Sequence, residues 1–200
     1  ISIYTEVERM SKMCKLDADK TAVVLGCGME GLLTVAALKT LGINKIIVID
    51  KESEKSRAME FGAWEFIGSH GKNGVAGVKD KIRAAAGDMA DAVFICTDSP
   101  MGRNVARRFM KNSGSICEMG FLCGWRRTPT ARYFEDSMPA GGRFYAARDY
   151  ENCMNFLAKA AEMKLPLYKL ITHRYKLEEI NEAMWTVVRE EGLGIAVFNR

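Results

Sequence analysis

Two hundred residues suit one domain with enough chain to bury a sizeable core. The composition, 48% hydrophobic and 27% charged, reads as a soluble globular protein; the formal charge of +4 is spread along the chain, which argues against a nucleic-acid surface. No apolar run reaches membrane-spanning length and the first residues carry no secretory h-region, so a cytoplasmic place is expected.

The chain opens on Ile1 rather than Met, which reads as a fragment or a processed form of a longer protein. "YTEVERMSKMC" (4–14) precedes a short apolar run, "TAVVLG" (21–26), that reads as a buried parallel strand. Gly31 to Leu41 is apolar nearly all round, as a helix packed on a sheet face would be, and Gly42 suits its C-cap. "KIIVID" (45–50) is the second strand. Residues 52–61 read as an exposed helix closed by Gly62, and "AWEFIG" (63–68) as a third, weaker strand. "SHGKNGVAG" (69–77) reads as a glycine-rich loop with His70 exposed on it, followed by a helix over 78–86 that ends at Gly87. "DAVFICT" (91–97) is the fourth strand, Pro100 suits the start of a helix running to about Lys111, and "GSICEMGF" (114–121) is the fifth strand.

The first 120 residues thus repeat strand and helix, which predicts an α/β fold with a doubly wound parallel sheet. Beyond them, 123–142 reads as a loop, "RFYAA" (143–147) as a strand, and 151–164 and 177–190 as helices. In the last helix Leu177, Ile180, Ala183, Met184, Val187 and Val188 form one apolar stripe, and "IAVFN" (195–199) is a final strand.

Six cysteines stand at 14, 27, 96, 117, 123 and 153 without a C-x-x-C pair, and only two histidines exist. That pattern reads as reduced thiols, with neither a disulfide framework nor a zinc site in this chain.

The chemistry concentrates in "VVLGCGMEGLLTV" (23–35), where Gly26, Gly28 and Gly31 make a Gly-x-Gly-x-x-Gly turn between strand and helix. Gly26 permits the tight turn, Gly28 lets a pyrophosphate approach the backbone, and Gly31 lets helix and strand pack closely. Cys27, Met29 and Glu30 complete the turn, whose helix start offers N–H groups and partial positive charge to phosphates. Asp50 ends the second strand 24 residues after Gly26, where it can accept hydrogen bonds from the adenosine ribose and repel a 2′-phosphate. The expected cofactor is therefore NAD rather than NADP. Lys51 and Lys55 have two readings: contacts to the ribose or a 2′-phosphate, or solvated lysines.

These motifs, with "DAVFICTDSP", "GSICEMGF" and "LITHRYKLEEINEAM", resemble the C-terminal coenzyme-binding half of the medium-chain, zinc-dependent alcohol and polyol dehydrogenase family, in that family's order and over nearly the whole chain. The resemblance implies a single Rossmann domain over 21–200, preceded over 1–20 by the crossover helix from a catalytic domain that the chain lacks. It implies that Cys96, Thr97 and Asp98 edge the adenosine and its ribose, and that Gly120 and Phe121 lie near the nicotinamide. It makes His173 part of a structural strand–helix junction rather than a catalytic base. It implies a small alcohol as substrate, zinc held only by the missing half, and a homodimer joined through the strand around Arg143–Ala147. No catalytic or metal-binding residue is assigned to this chain, which alone is expected to have negligible dehydrogenase activity.

Three positions depart from the family's pattern. Glu30 replaces an apolar residue beside the nicotinamide, where an acid would favour the oxidised ring; it could equally face solvent or cap the helix. Asp98 replaces a glycine, and Ala196 stands where an arginine often grips the pyrophosphate. These departures keep a second reading open, a dinucleotide-binding or dimerisation module that has lost catalysis. A methyltransferase-like or sugar-nucleotide-binding relative is a third, opposed by the matches at 91–100 and 171–184. The segment "CGWRRTPTARYF" reads either as pocket wall or as subunit contact.

Overall fold

The computed structural model describes residues 1–69, 74–97, 102, 105–119, 146–189 and 192–198. Contacts divide the chain into two compact units, Ile1–Leu165 and Pro166–Arg200. The boundary falls inside the range, 21–200, expected to form one dinucleotide-binding domain.

The first unit is built on a five-stranded parallel sheet. Its strands are β1 (Thr21–Leu25), β2 (Lys45–Asp50), β3 (Glu65–Gly68), β4 (Ala90–Ile95) and β5 (Met110–Glu118), in the order β3-β2-β1-β4-β5. This is the α/β, Rossmann-like arrangement expected, with the order reversing beside β1. The central strands are covered on both faces, which is why they read as continuous apolar runs. Val23, Leu25, Ile47, Ile49, Val93 and Ile95 join a core with Val78 and Ile82 of α4 (Gly74–Ala86) and with Phe109. The alternate residues Ala22, Val24, Ile46, Val48, Ala92 and Phe94 are buried on the other face.

Helix α2 (Met29–Thr40) lies against β1 and β2 on one side and is covered by α1 (Ser2–Met13) and α5 (Ala147–Glu162) on the other. An all-round apolar helix is what that position requires, and Leu32, Val35, Ala36, Ala37 and Leu38 are wholly buried. Helix α1 is tied down by Val7 and Met10 in the core and by a Tyr4–Phe156 ring stack with centroids 4.7 Å apart. An Arg9–Asp149 ion pair of 3.3 Å joins α1 to the start of α5. The same Asp149 Oδ2 accepts the N–H of Ala146 at 2.6 Å, capping α5. Gly42, Gly62 and Gly87 all have positive φ after helical segments, the last two closing α3 (Lys55–Glu60) and α4.

Several boundaries differ from the expectation. Helix α4 starts at Gly74, inside the segment read as loop, because Val75 and Val78 turn its first face onto the sheet core. The expected helix is present at 102, 105 and 106 but passes into a 3₁₀ turn over Arg107–Phe109 instead of reaching Lys111, and β5 begins at Met110, not Gly114. Met110 pairs with Ala90, and the polar "KNS" of 111–113 lies in an irregularity before Ser115 pairs with Ala92. Ala147, expected in a strand, opens α5; residues 143–145 lie outside the described residues, as do His70, Pro100 and 123–142.

The second unit is a parallel pair, β6 (Ile171–Lys176) and β7 (Gly194–Phe198), connected through α6 (Ile180–Val188). Of the expected apolar stripe only Ala183 is buried; Leu177, Ile180, Met184, Val187 and Val188 are exposed. The inward face is set instead by Ala183 and Thr186, whose hydroxyl meets the Tyr175 hydroxyl at 2.7 Å. His173 stands on β6 with Nδ1 3.0 Å from the Thr172 hydroxyl. No helix among the described residues is long and apolar enough to cross a membrane.

The N-terminal ends of the strands are joined through Asp91. Its Oδ2 accepts the Thr21 N–H at 2.9 Å, and Oδ1 meets the ammonium of Lys111 at 2.9 Å and that of Lys20 at 3.6 Å. Burial alone would push the Asp91 carboxyl up; the Thr21 N–H and the two lysines outweigh it and hold the carboxyl below its ordinary value. Its stabilising contribution is therefore complete above the unfolded carboxylate pKa of about 4 and is lost as pH falls through the lower folded value. Asp91→Asn is expected to cost about 1 kcal/mol at neutral pH, the lysines being partly solvated. Urea denaturation should show that gap closing as pH falls through the acid range; a gap independent of pH would contradict the assignment.

Candidate functional site

The C-terminal ends of β1, β2 and β4 converge at the glycine turn. Gly26 follows β1 with φ +103°, a conformation that L side chains rarely adopt, and its N–H bonds the Ile49 carbonyl at 3.0 Å. A Cβ here would also press on the carbonyl of Cys96 at the end of β4. Gly31 sits in the first turn of α2, where a Cβ would overlap the carbonyl oxygen of Gly26. Gly28 is different: its backbone is ordinary, and nothing lies within 4 Å of the Cβ it lacks. As N-cap of α2 it offers no side chain to the first-turn N–H groups.

Asp50 is fixed over this turn. Its Oδ2 accepts the Cys27 N–H at 2.5 Å and its Oδ1 the Lys51 N–H at 2.6 Å. A carboxylate oxygen can accept more than one bond, so both keep capacity toward a ligand hydroxyl. Beside it lies a cavity of about 410 Å³. The described residues that line it are largely apolar, Leu25, Ile49, Val75, Val78, Val105 and Phe109, together with Gly26, Asp50, Lys51, Ser69, Thr97 and Gly102. A mostly apolar cleft with a few convergent polar groups, at the point where strand order reverses, is the usual form of a small-molecule site in such sheets.

The expected site residues are placed unequally. Gly26, Asp50, Lys51 and Thr97 line the cavity together, while Cys27, Gly28, Met29, Glu30 and Gly31 form the adjoining turn and first helical turn. Cys96 packs behind the turn, its thiol 3.5 Å from the Thr34 hydroxyl, which itself donates to the Glu30 carbonyl at 2.8 Å. Lys55 does not line the cavity; its ammonium lies 3.9 Å from Glu52. Asp98, Gly120 and Phe121 lie outside the described residues. Ala196 is on β7, paired with Arg174. The sequence reading missed Ser69, Val75, Val78, Val105 and Phe109; the only hint was the i, i+3 spacing of Val75 and Val78, inside a segment with turn composition.

The thiols here are not nucleophiles. Burial pushes Cys27 up to about 12, with the Asp50 charge adding to it, and pushes Cys96 up to about 12. Both stay protonated near neutral pH. Glu30 is half-buried in the first turn of α2, and its negative charge reaches Cys96. Among the described residues no three His, Cys, Asp or Glu side chains come together as metal ligands.

Comparison with known proteins gives this geometry a context. Sorbitol dehydrogenase 1 of Saccharomyces cerevisiae is 29% identical over 166 residues, which cover 80% of this chain and 46% of that protein. Sorbitol dehydrogenase of Arabidopsis thaliana is 23% identical over 192 residues, covering 94% and 52%. Among solved structures, an alcohol dehydrogenase from Thermotoga maritima superposes with a TM-score of 0.80 at 20% identity, over 98% of this chain and 55% of that one. The chain spans about half the length of the curated relatives it matches. The model of the zinc-binding dehydrogenase family matches residues 31–159, well over half the chain, and the protein belongs to that family.

Proposed function

We propose that this chain is the NAD-binding part of a zinc-type alcohol or polyol dehydrogenase, whose whole protein transfers a hydride between an alcohol and NAD. The observation that carries the reading is Asp50, held by the Cys27 N–H over the glycine turn and lining an apolar cavity with Gly26. When bound, the dinucleotide supplies the hydride acceptor. The chain's own residues bind and orient it. The open space at Gly28 and the N-terminus of α2 suit the pyrophosphate. Asp50 suits the adenosine ribose hydroxyls, and Val75, Val78, Val105 and Phe109 offer an apolar slot for the adenine. The fixed carboxylate of Asp50 opposes a 2′-phosphate, which favours NAD over NADP. Glu30 in the first turn adds negative charge that favours a cationic over a neutral ring. By the resemblance, the zinc implied by the family would be held by the catalytic half of the whole protein. The chain alone is then expected to oxidise alcohols at a negligible rate.

Calorimetric titration of the chain with NAD is expected to show saturable binding at or below millimolar concentration; no saturable heat there would contradict the cofactor assignment. Two glycine variants separate binding from folding. Gly28→Ala is expected to leave stability within about 0.5 kcal/mol of wild type, since its methyl group meets nothing. It should weaken NAD binding about tenfold or more by occupying the space a pyrophosphate needs. Gly31→Ala is expected to cost about 2 kcal/mol or more, because its methyl group overlaps the Gly26 carbonyl. Urea denaturation and NAD titration of both variants check this; unchanged NAD affinity in Gly28→Ala would contradict the placement of the pyrophosphate.

A further inference from the structure

We infer that Thr172, His173 and Gly192 form a hydrogen-bonded clasp that closes the start of β7 onto β6, and that the clasp holds His173 as its Nδ1–H tautomer with Nε2 left as a directed acceptor. The inference stands apart from the nucleotide reading. It starts from an irregularity in the strand pair. Ile171 pairs with Gly194 and His173 with Ile195, so β6 takes two steps where β7 takes one. Thr172 is the extra residue, as in a β-bulge, and has no register partner on β7.

Its side chain replaces the missing ladder bonds. The Thr172 hydroxyl accepts the Leu193 N–H at 3.0 Å and donates to the Gly194 carbonyl at 3.1 Å. A hydroxyl has one proton and two lone pairs. The carbonyl can only accept, so it takes that proton, and the Leu193 N–H takes one lone pair. His173 Nδ1, 3.0 Å away, can then meet the hydroxyl only by donating to the lone pair that remains. Nδ1 therefore carries a proton, and in the neutral ring Nε2 carries none. The plane of the ring is set as well. It lies nearly parallel to the Tyr175 ring, with 8° between the planes and centroids 6.2 Å apart, and the Tyr175 hydroxyl is itself held by Thr186. Among the described residues no hydrogen bond reaches Nε2. Gly192 completes the clasp. A Cβ there would lie 2.7 Å from His173 Nδ1 and 2.8 Å from the Thr172 hydroxyl oxygen. Its backbone is not left-handed, so close approach alone demands the glycine. His173 is thus a positioning residue for the chain's entry into β7, and Nε2 is the atom it leaves for a hydrogen-bond donor.

Nitrogen-15 spectra of the imidazole rings in the full chain, recorded with the rings neutral, test the clasp. The chain has two histidines, so His173→Asn assigns the signals by removing one. Wild type is expected to show His173 protonated at Nδ1 and bare at Nε2. A ring protonated at Nε2 overturns the inference, and that result depends on no variant folding. Thr172→Val removes the hydroxyl and keeps the shape of the side chain. It is expected to bring the Nε2–H tautomer of His173 into the spectrum and to speed hydrogen exchange at the Leu193 amide about threefold or more. A ring that keeps Nδ1–H in Thr172→Val, or Leu193 exchange that is unchanged there, would also overturn the clasp.

Discussion

The hydrogen bond from the Cys27 N–H to the Asp50 carboxylate is the constraint on which the rest of the site depends. It joins the turn after β1 to the end of β2, two segments 23 residues apart in sequence. The turn can reach Asp50 because Gly26 adopts a positive φ and lies against the Cys96 carbonyl at the end of β4. Helix α2 can leave the turn directly because Gly31 lets its first turn rest on the Gly26 carbonyl. Three strand ends and one helix start are thus fixed by contacts that tolerate no added methyl group at Gly26 or Gly31. Gly28 alone in the motif faces open space, so the fold itself does not demand glycine there.

The two ends of the sheet divide the work. At the N-terminal end Asp91 is saturated by Thr21, Lys20 and Lys111, a closed arrangement that holds β1, β4 and β5 together. At the C-terminal end Asp50 is held only by backbone N–H groups and retains acceptor capacity beside a cavity. Both carboxylates are anchored by N–H groups, but only one is left available to a ligand. Between them the apolar strands are covered on both faces, so the positions of the two ends are transmitted through a rigid core.

Much of this was legible in the sequence because the constraints are local. Strands covered on both faces announce themselves as "AVVL" and "IIVI", and a reversal of backbone hand needs glycine, so Gly42, Gly62 and Gly87 marked helix ends. The glycine turn and Asp50 were legible because each residue has a separate stereochemical reason. What escaped was decided by tertiary contacts. The start of β5 at Met110 follows from its pairing with Ala90 and from the Lys111–Asp91 contact, and the polar sequence after it gives no sign of either. Helix α4 begins inside "GVAG" because the sheet core receives Val75 and Val78. In α6 an apolar stripe suggested the buried face, yet Ala183 and Thr186 face inward, chosen by their small size and by the Tyr175 hydroxyl. The apolar part of the cavity was hidden for the same reason: its walls come from segments whose packing, not their pattern, brings them together.

Amide chemical-shift mapping of the isotopically labelled chain with NAD tests the central claim most directly. The account predicts saturable perturbations grouped at Gly26–Gly31, Asp50, Lys51, Ser69, Val75, Val78 and Thr97, with the amide of Cys27 among the most affected because its partner carboxylate would also bind the ribose. Saturable perturbations confined to other residues, with the Cys27 and Asp50 amides unmoved, would contradict it.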